Sequence, residues 1–137
     1  MALTNNKHVL DWVDEMIALT KPDQVVWIDG SEEQLDDLRR QAEETKEMIK
    51  LNQEKLPGCY LHRTAVNDVA RVEHRTFICS KKEEDAGPTN NWMDPKEAYE
   101  KLGKLLDGSM KGRTAYIIPY SMGPIGSPFS KAGVEIT

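Results

Sequence analysis

Two cysteines in 137 residues are too few for a disulfide framework, so Cys59 and Cys79 read as reduced thiols of a cytoplasmic protein. Positive charge is also short: the net charge is -5, which argues against a nucleic-acid module, since phosphate-binding domains are generally basic. No apolar run approaches the roughly 18 residues that would span a bilayer. The first residues, Met1-Ala-Leu-Thr-Asn-Asn6, carry no signal-peptide pattern. Hydrophobic residues make up only 39% of the chain against 30% charged. Either much of the chain is surface, or part of its core lies elsewhere. No Gly-x-x-x-x-Gly-Lys-[Ser/Thr] phosphate loop and no Gly-x-Ser-x-Gly nucleophile elbow occurs.

What is present is a chain of single-domain length with alternating helix and strand patterns. Asn5 or Asn6 can cap a first helix striped by Val9, Leu10, Val13, Met16 and Ile17, ending before Lys21-Pro22. Val25–Ile28 reads as a buried strand. Ser31 and Gln34 form a capping-box pattern ahead of Leu35, Leu38 and Ala42 at helical spacing. Met48-Ile49 starts a further strand, Pro57-Gly58 a turn, and Cys59-Tyr60-Leu61 and Arg75–Cys79 short strands. Ser80 to Asp94 reads as a long polar loop, and long loops are often functional. Asp94 and Pro95 open a helix with Ala98, Leu102, Leu105 and Leu106 as its buried stripe and Gly108 as its stop. The order predicts an α/β fold, a mixed sheet with flanking helices.

The strongest local signal is Arg113–Pro128. Its first half, through Ala115, Tyr116, Ile117 and Ile118, is a buried strand; its second half, with Pro119, Gly123, Pro124, Gly126 and Pro128, reads as a stiff turn. The alternating run Ala132–Thr137 then stops without a turn or cap, the pattern of a chain cut inside a sheet. An exposed edge there predicts self-association or partial disorder.

Little in the motifs supports catalysis. Cys59-x2-His62 and His74-x4-Cys79 could supply four zinc ligands. The spacings are irregular, however, and buried cysteines with surface histidines explain them. Ser121, Ser127 and Cys79 have no base nearby in sequence. Arg71 differs, because it stands in the apolar setting Val69-Ala-Arg-Val-Glu73, where a guanidinium needs a partner. If that segment is extended, Arg71 and Glu73 project to the same side. The partner is either an anionic ligand or an internal carboxylate: Glu73, Asp68 or Asp85.

Three blocks carry a resemblance: Val69–Glu73, Gly87-Pro-Thr-Asn-Asn-Trp-Met-Asp-Pro95 and Arg113–Pro128. With Val26-Trp27-x-Asp29-Gly30-Ser31-Glu32 and Thr76–Gly87, they resemble the GTP-dependent phosphoenolpyruvate carboxykinases, bacterial branch, in colinear order from about Leu3 to Thr137. The resemblance implies that residues 1–137 are the N-terminal domain of a carboxy-lyase of gluconeogenesis. That family converts oxaloacetate and GTP to phosphoenolpyruvate, GDP and carbon dioxide with Mn2+ and Mg-GTP. It implies substrate binding by Arg71 and a lid-stabilising role for Glu73. The family's phosphate loop, manganese ligands, guanine pocket, reactive cysteine and lid would all lie in a later, C-terminal part. No catalytic residue and no metal ligand is therefore expected within this segment, which should be inactive alone. Partners implied are oxaloacetate or phosphoenolpyruvate and the remaining C-terminal part, with no nucleic acid and no membrane. The alternative is a free-standing, non-catalytic α/β module that binds anions or only packs. The resemblance assigns Arg113–Pro128 no substrate contact, so that stretch reads as scaffold.

Overall fold

A computed structural model describes residues 2–68 and 72–137. The elements are, in order, α1 (Lys7–Thr20), β1 (Gln24–Trp27), α2 (Glu32–Glu44), β2 (Ile49–Lys50), β3 (Tyr60–Leu61), β4 (Phe77–Ile78), β5 (Asn91–Trp92), α3 (Pro95–Leu106), β6 (Thr114–Met122) and β7 (Lys131–Ile136). Short 3-10 turns cover Glu73–Arg75 and Glu83–Ala86. The chain divides into two compact units: the residues up to Ile28 with His74–Thr137, and Asp29–Glu73.

The larger unit is built on a mixed three-stranded sheet in the order β1-β6-β7, with β1 parallel and β7 antiparallel to the central β6. The expected α/β class and mixed sheet are therefore what the chain forms. Asn6 caps α1 by accepting from the His8 N–H at 3.0 Å. The helix stops at Lys21, which takes a left-handed conformation with φ of 55° ahead of Pro22 and donates its N–H to Ile17 O. There the chain is clamped to the end of α3. Gly108 N–H donates to Leu19 O, Met110 N–H donates to Thr20 O, and Lys21 pairs with Asp107. Asp23 finishes the clamp: its carboxylate accepts from Gly112 N–H and its own N–H donates to Arg113 O. These bonds set β1 beside β6 in register, Gln24 opposite Thr114.

Ala115 and Ile117 on β6 are completely buried, and Val13 of α1, Ala86 and Ala98 of α3 complete the buried apolar set. The expected stripe on α3 is only partly correct. Ala98 is buried, but Leu102, Leu105 and Leu106 are exposed. The start of α3 is as expected: the Asp94 carboxylate accepts from the Lys96 and Glu97 N–H groups, with Pro95 in the first turn.

The strand β6 also runs further than its prolines suggest, through Pro119 to Met122. Tyr116 and Thr137 exchange both backbone hydrogen bonds, so alternate residues of β6 face β7 and β1 in turn. Pro119 falls on the side facing β1, where Ile28 N–H donates to Ile117 O and the parallel ladder ends; its missing N–H leaves the bonds to β7 intact. The turn follows only after Met122, with positive φ at Gly123 and Gly126. A Cβ on Gly123 would stand 2.7 Å from Ser130 Oγ, so this glycine is required by space as well as by angle.

The smaller unit rests on local bonds. Ser31 Oγ accepts from Gln34 N–H, while Gln34 Oε1 reaches back to Asp29 N–H, a capping box displaced by two residues. Arg39–Asp36, Arg40–Asp37 and Arg40–Glu44 pairs run along α2. β2 and β3 form a ladder of only two residue pairs. Gln53 staples the loop between them: its amide donates to Leu51 O and Cys59 O and accepts from Gly58 N–H. Leu35, Leu38 and Ala42 are half-buried, and no described residue of this unit is fully buried.

Candidate functional site

The principal candidate, Arg71, lies outside the described residues, as do Val69 and Ala70. Glu73 is exposed and opens the 3-10 turn Glu73–Arg75, so the alternation of an extended strand does not govern its direction. Asp68, one of the internal partners considered for Arg71, is exposed and donates its N–H to Ala65 O. Asp85, another, sits in the turn Glu83–Ala86 and donates its N–H to Lys82 O.

The stretch expected to be an unstructured loop, Ser80 to Asp94, is ordered by its own polar groups. Asn90 donates to Ala86 O at 2.7 Å, and the Trp92 indole N–H donates to Ser80 O. Asn91 and Trp92 form a short parallel ladder with Phe77 and Ile78, to which Asn91 adds a side-chain bond to Thr76 O. Asparagine amides replace backbone partners here, and that device leaves no periodicity to read. The strand expected over Arg75–Cys79 is correspondingly cut to two residues, because Arg75 belongs to the preceding turn.

Beside this ladder lies a cavity of about 440 Å³ lined by Phe77, Met93, Leu102 and Leu105, with Arg75 and Lys101 at its margin. Lys101 Nζ stands 5.8 Å from the centre of the Phe77 ring. Nothing in the spacing of Arg75 and Lys101 announces this grouping, which only the fold creates. A second cavity, about 500 Å³, lies against α1 and the sheet, with Trp12, Trp27, Tyr120 and Val134 among its walls.

The structure describes all four residues of the Cys59, His62, His74 and Cys79 pattern. Both cysteines are exposed, which corrects the expectation that they are buried. His62 Nδ1 is engaged with Glu47 O at 2.6 Å. Among the described residues no group of three or more His, Cys, Asp or Glu side chains could hold a metal ion. Three exposed groups have displaced titration. Asp29 is lowered by hydrogen bonds from Ser31, Asp107 by its bond to Lys21, and Arg40 is raised by Asp37 and Glu44. None of these marks an acid or base poised for catalysis. No described helix is long and apolar enough to cross a membrane.

Residues 11–137 match the family described as the phosphoenolpyruvate carboxykinase N-terminal domain. The chain belongs to that family. It corresponds to the N-terminal domain of the GTP-dependent phosphoenolpyruvate carboxykinases, as the resemblance implied. It is 60% identical over 134 residues to the phosphoenolpyruvate carboxykinase [GTP] of Anaeromyxobacter sp. (strain K), covering 98% of this chain. Identity is 52% to the enzyme of the same name from Corynebacterium jeikeium and 50% to that of Corynebacterium glutamicum (strain R), each over 99% of this chain. In all three cases the chain spans only 22% of the length of the relative.

Proposed function

We propose that residues 1–137 act as the N-terminal, substrate-contributing domain of a GTP-dependent phosphoenolpyruvate carboxykinase. That enzyme converts oxaloacetate and GTP to phosphoenolpyruvate, GDP and carbon dioxide in the cytoplasm. The observation that carries this reading is the match over residues 11–137 together with 60% identity to a relative of that name. Within it, the Arg71 guanidinium holds an anionic group of oxaloacetate or phosphoenolpyruvate through a planar, charge-assisted fork. Glu73 stabilises a lid contributed by the remaining polypeptide.

Mn2+ and Mg-GTP, when bound to such an enzyme, supply charge neutralisation for phosphoryl transfer. Among the described residues no group of three or more metal-ligating side chains occurs, and the sequence carries no Gly-rich phosphate loop. No step through metal or nucleotide is therefore assigned to this chain.

The test is a domain exchange. This chain replaces the matching 134 residues of the Anaeromyxobacter sp. (strain K) relative, and decarboxylation of oxaloacetate is assayed with GTP and Mn2+. The exchanged enzyme is expected to turn over and the 137-residue chain alone to be inactive. A folded but inactive exchanged enzyme contradicts the reading.

A further inference from the structure

The cavity formed by α3 and the β4–β5 ladder sets an apolar floor beside two cations. Phe77 comes from β4, Met93 follows β5, and Leu102 and Leu105 come from one face of α3. Backbone bonds fix this floor. Met93 N–H donates to Ile78 O, and the Asn91 amide donates to Thr76 O beside Phe77. Arg75 enters from the turn ahead of β4, and Lys101 from α3, with its ammonium 5.8 Å from the centre of the Phe77 ring. No Asp or Glu lines the cavity. Glu97 and Glu100, the acids nearest Lys101 along α3, border a separate groove. Lys21, Arg39, Arg40 and Lys82 each hold a carboxylate, whereas among the described residues Arg75 and Lys101 hold none. Positive charge therefore stands beside apolar surface with no anion to match it.

We propose that this cavity binds a small carboxylate with an aromatic body, its ring on Phe77 and Met93 and its carboxylate held by Arg75 and Lys101. Three features select that class. The volume, about 440 Å³, is that of a small-molecule site, and every wall belongs to the sheet unit. A phenyl ring and a thioether suit a flat aromatic body, through offset stacking and sulfur–ring contact. An arginine fork with a lysine point charge beside it suits a planar carboxylate, and an aliphatic floor alone would not call for charge at all. A wholly polar dicarboxylate such as oxaloacetate would leave the floor uncovered. The proposal stands on this geometry and not on the family reading.

Cys79, an exposed thiol on the cavity wall, reports occupancy, and Cys59, exposed in the other unit, is the internal control. Alkylation by N-ethylmaleimide is followed at each cysteine by peptide mass in the 137-residue chain, with phenylacetate as the probe. At about ten times its Kd, phenylacetate should slow alkylation of Cys79 about 10-fold and leave Cys59 unaltered. Acetate, which lacks the ring, and benzyl alcohol, which lacks the charge, should each need about 10-fold higher concentrations for the same protection. The double variant Arg75→Gln, Lys101→Met should weaken phenylacetate about 10-fold and leave benzyl alcohol unchanged. In the domain-exchanged enzyme Cys79 should stay open to alkylation and be protected by phenylacetate to the same degree. Absence of protection overturns the proposal, as does equal protection of both cysteines or equal protection by benzyl alcohol and phenylacetate. A Cys79 shielded in the exchanged enzyme without phenylacetate also overturns it, by showing that the remaining polypeptide fills the cavity.

Discussion

The two units of this chain are held together in different ways. The sheet unit has a small, completely buried centre at Ala115 and Ile117, with Val13 and Ala98 supplied by helices. The unit from Asp29 to Glu73 has no fully buried described residue and relies on a capping box, the Gln53 staple and ion pairs along α2. Exposed ion pairs of this kind each contribute little, about 0–1 kcal/mol. Stability therefore resides in the sheet unit.

That contrast can be broken most forcefully at Ile117. Ile117→Ala removes the largest fully buried side chain and should destabilise the sheet unit by about 2–5 kcal/mol. Denaturant unfolding followed by tryptophan fluorescence reads this loss; a change below 1 kcal/mol, on the order of a surface substitution, would show that the sheet is not the centre of stability. A smaller effect belongs to the other unit. Gln53→Ala deletes the staple between Leu51 and Cys59, at about 1–2 kcal/mol, and should speed amide exchange within Asp29–Glu73 while leaving β6 protected. Uniform acceleration across both units would show instead that they unfold together.

The smallest effect concerns acid. The Lys21 ammonium holds the Asp107 carboxyl below its ordinary value of 3.8 in the folded chain. Its contribution is thus present above the unfolded value and is lost as pH falls through the lowered folded one. Lys21→Met should remove that contribution at pH 7 to 9 and thereby flatten the acid limb of the stability curve below about pH 4, where unfolded aspartates titrate. An unchanged acid limb would detach Asp107 from the clamp between α1 and α3.

Much of the sheet unit was legible because its signals are local. The Asp94-Pro95 helix start, the Asn6 cap and the stop at Lys21-Pro22 each work through the next few backbone groups, so residue type alone exposes them. The Ser31–Gln34 pattern was equally clear. Two readings failed for a shared reason, that the outcome depends on what lies across space. Pro119 stays in a strand because its missing N–H points away from β7, and Leu102 and Leu105 stay exposed although they share a cavity with Phe77 and Met93. The ordering of Ser80 to Asp94 by asparagine and tryptophan side chains has no periodic trace at all. For the site, no pattern in the residues chose between a ligand and an internal carboxylate as the partner of Arg71. The family resemblance selected the ligand, and the choice rests on chemistry still to be measured.

Steady-state kinetics of Arg71→Ala in the domain-exchanged enzyme measures that choice directly. Loss of a charged, bidentate contact should cost about 1.5–3 kcal/mol, which lowers kcat/KM for oxaloacetate roughly 10- to 150-fold while the stability of the sheet unit is unchanged. Arg71→Lys should recover only part of the loss, because a point charge does not reproduce the fork. Unaltered kcat/KM in a folded Arg71→Ala enzyme would contradict the assignment and return Arg71 to an internal, structural role.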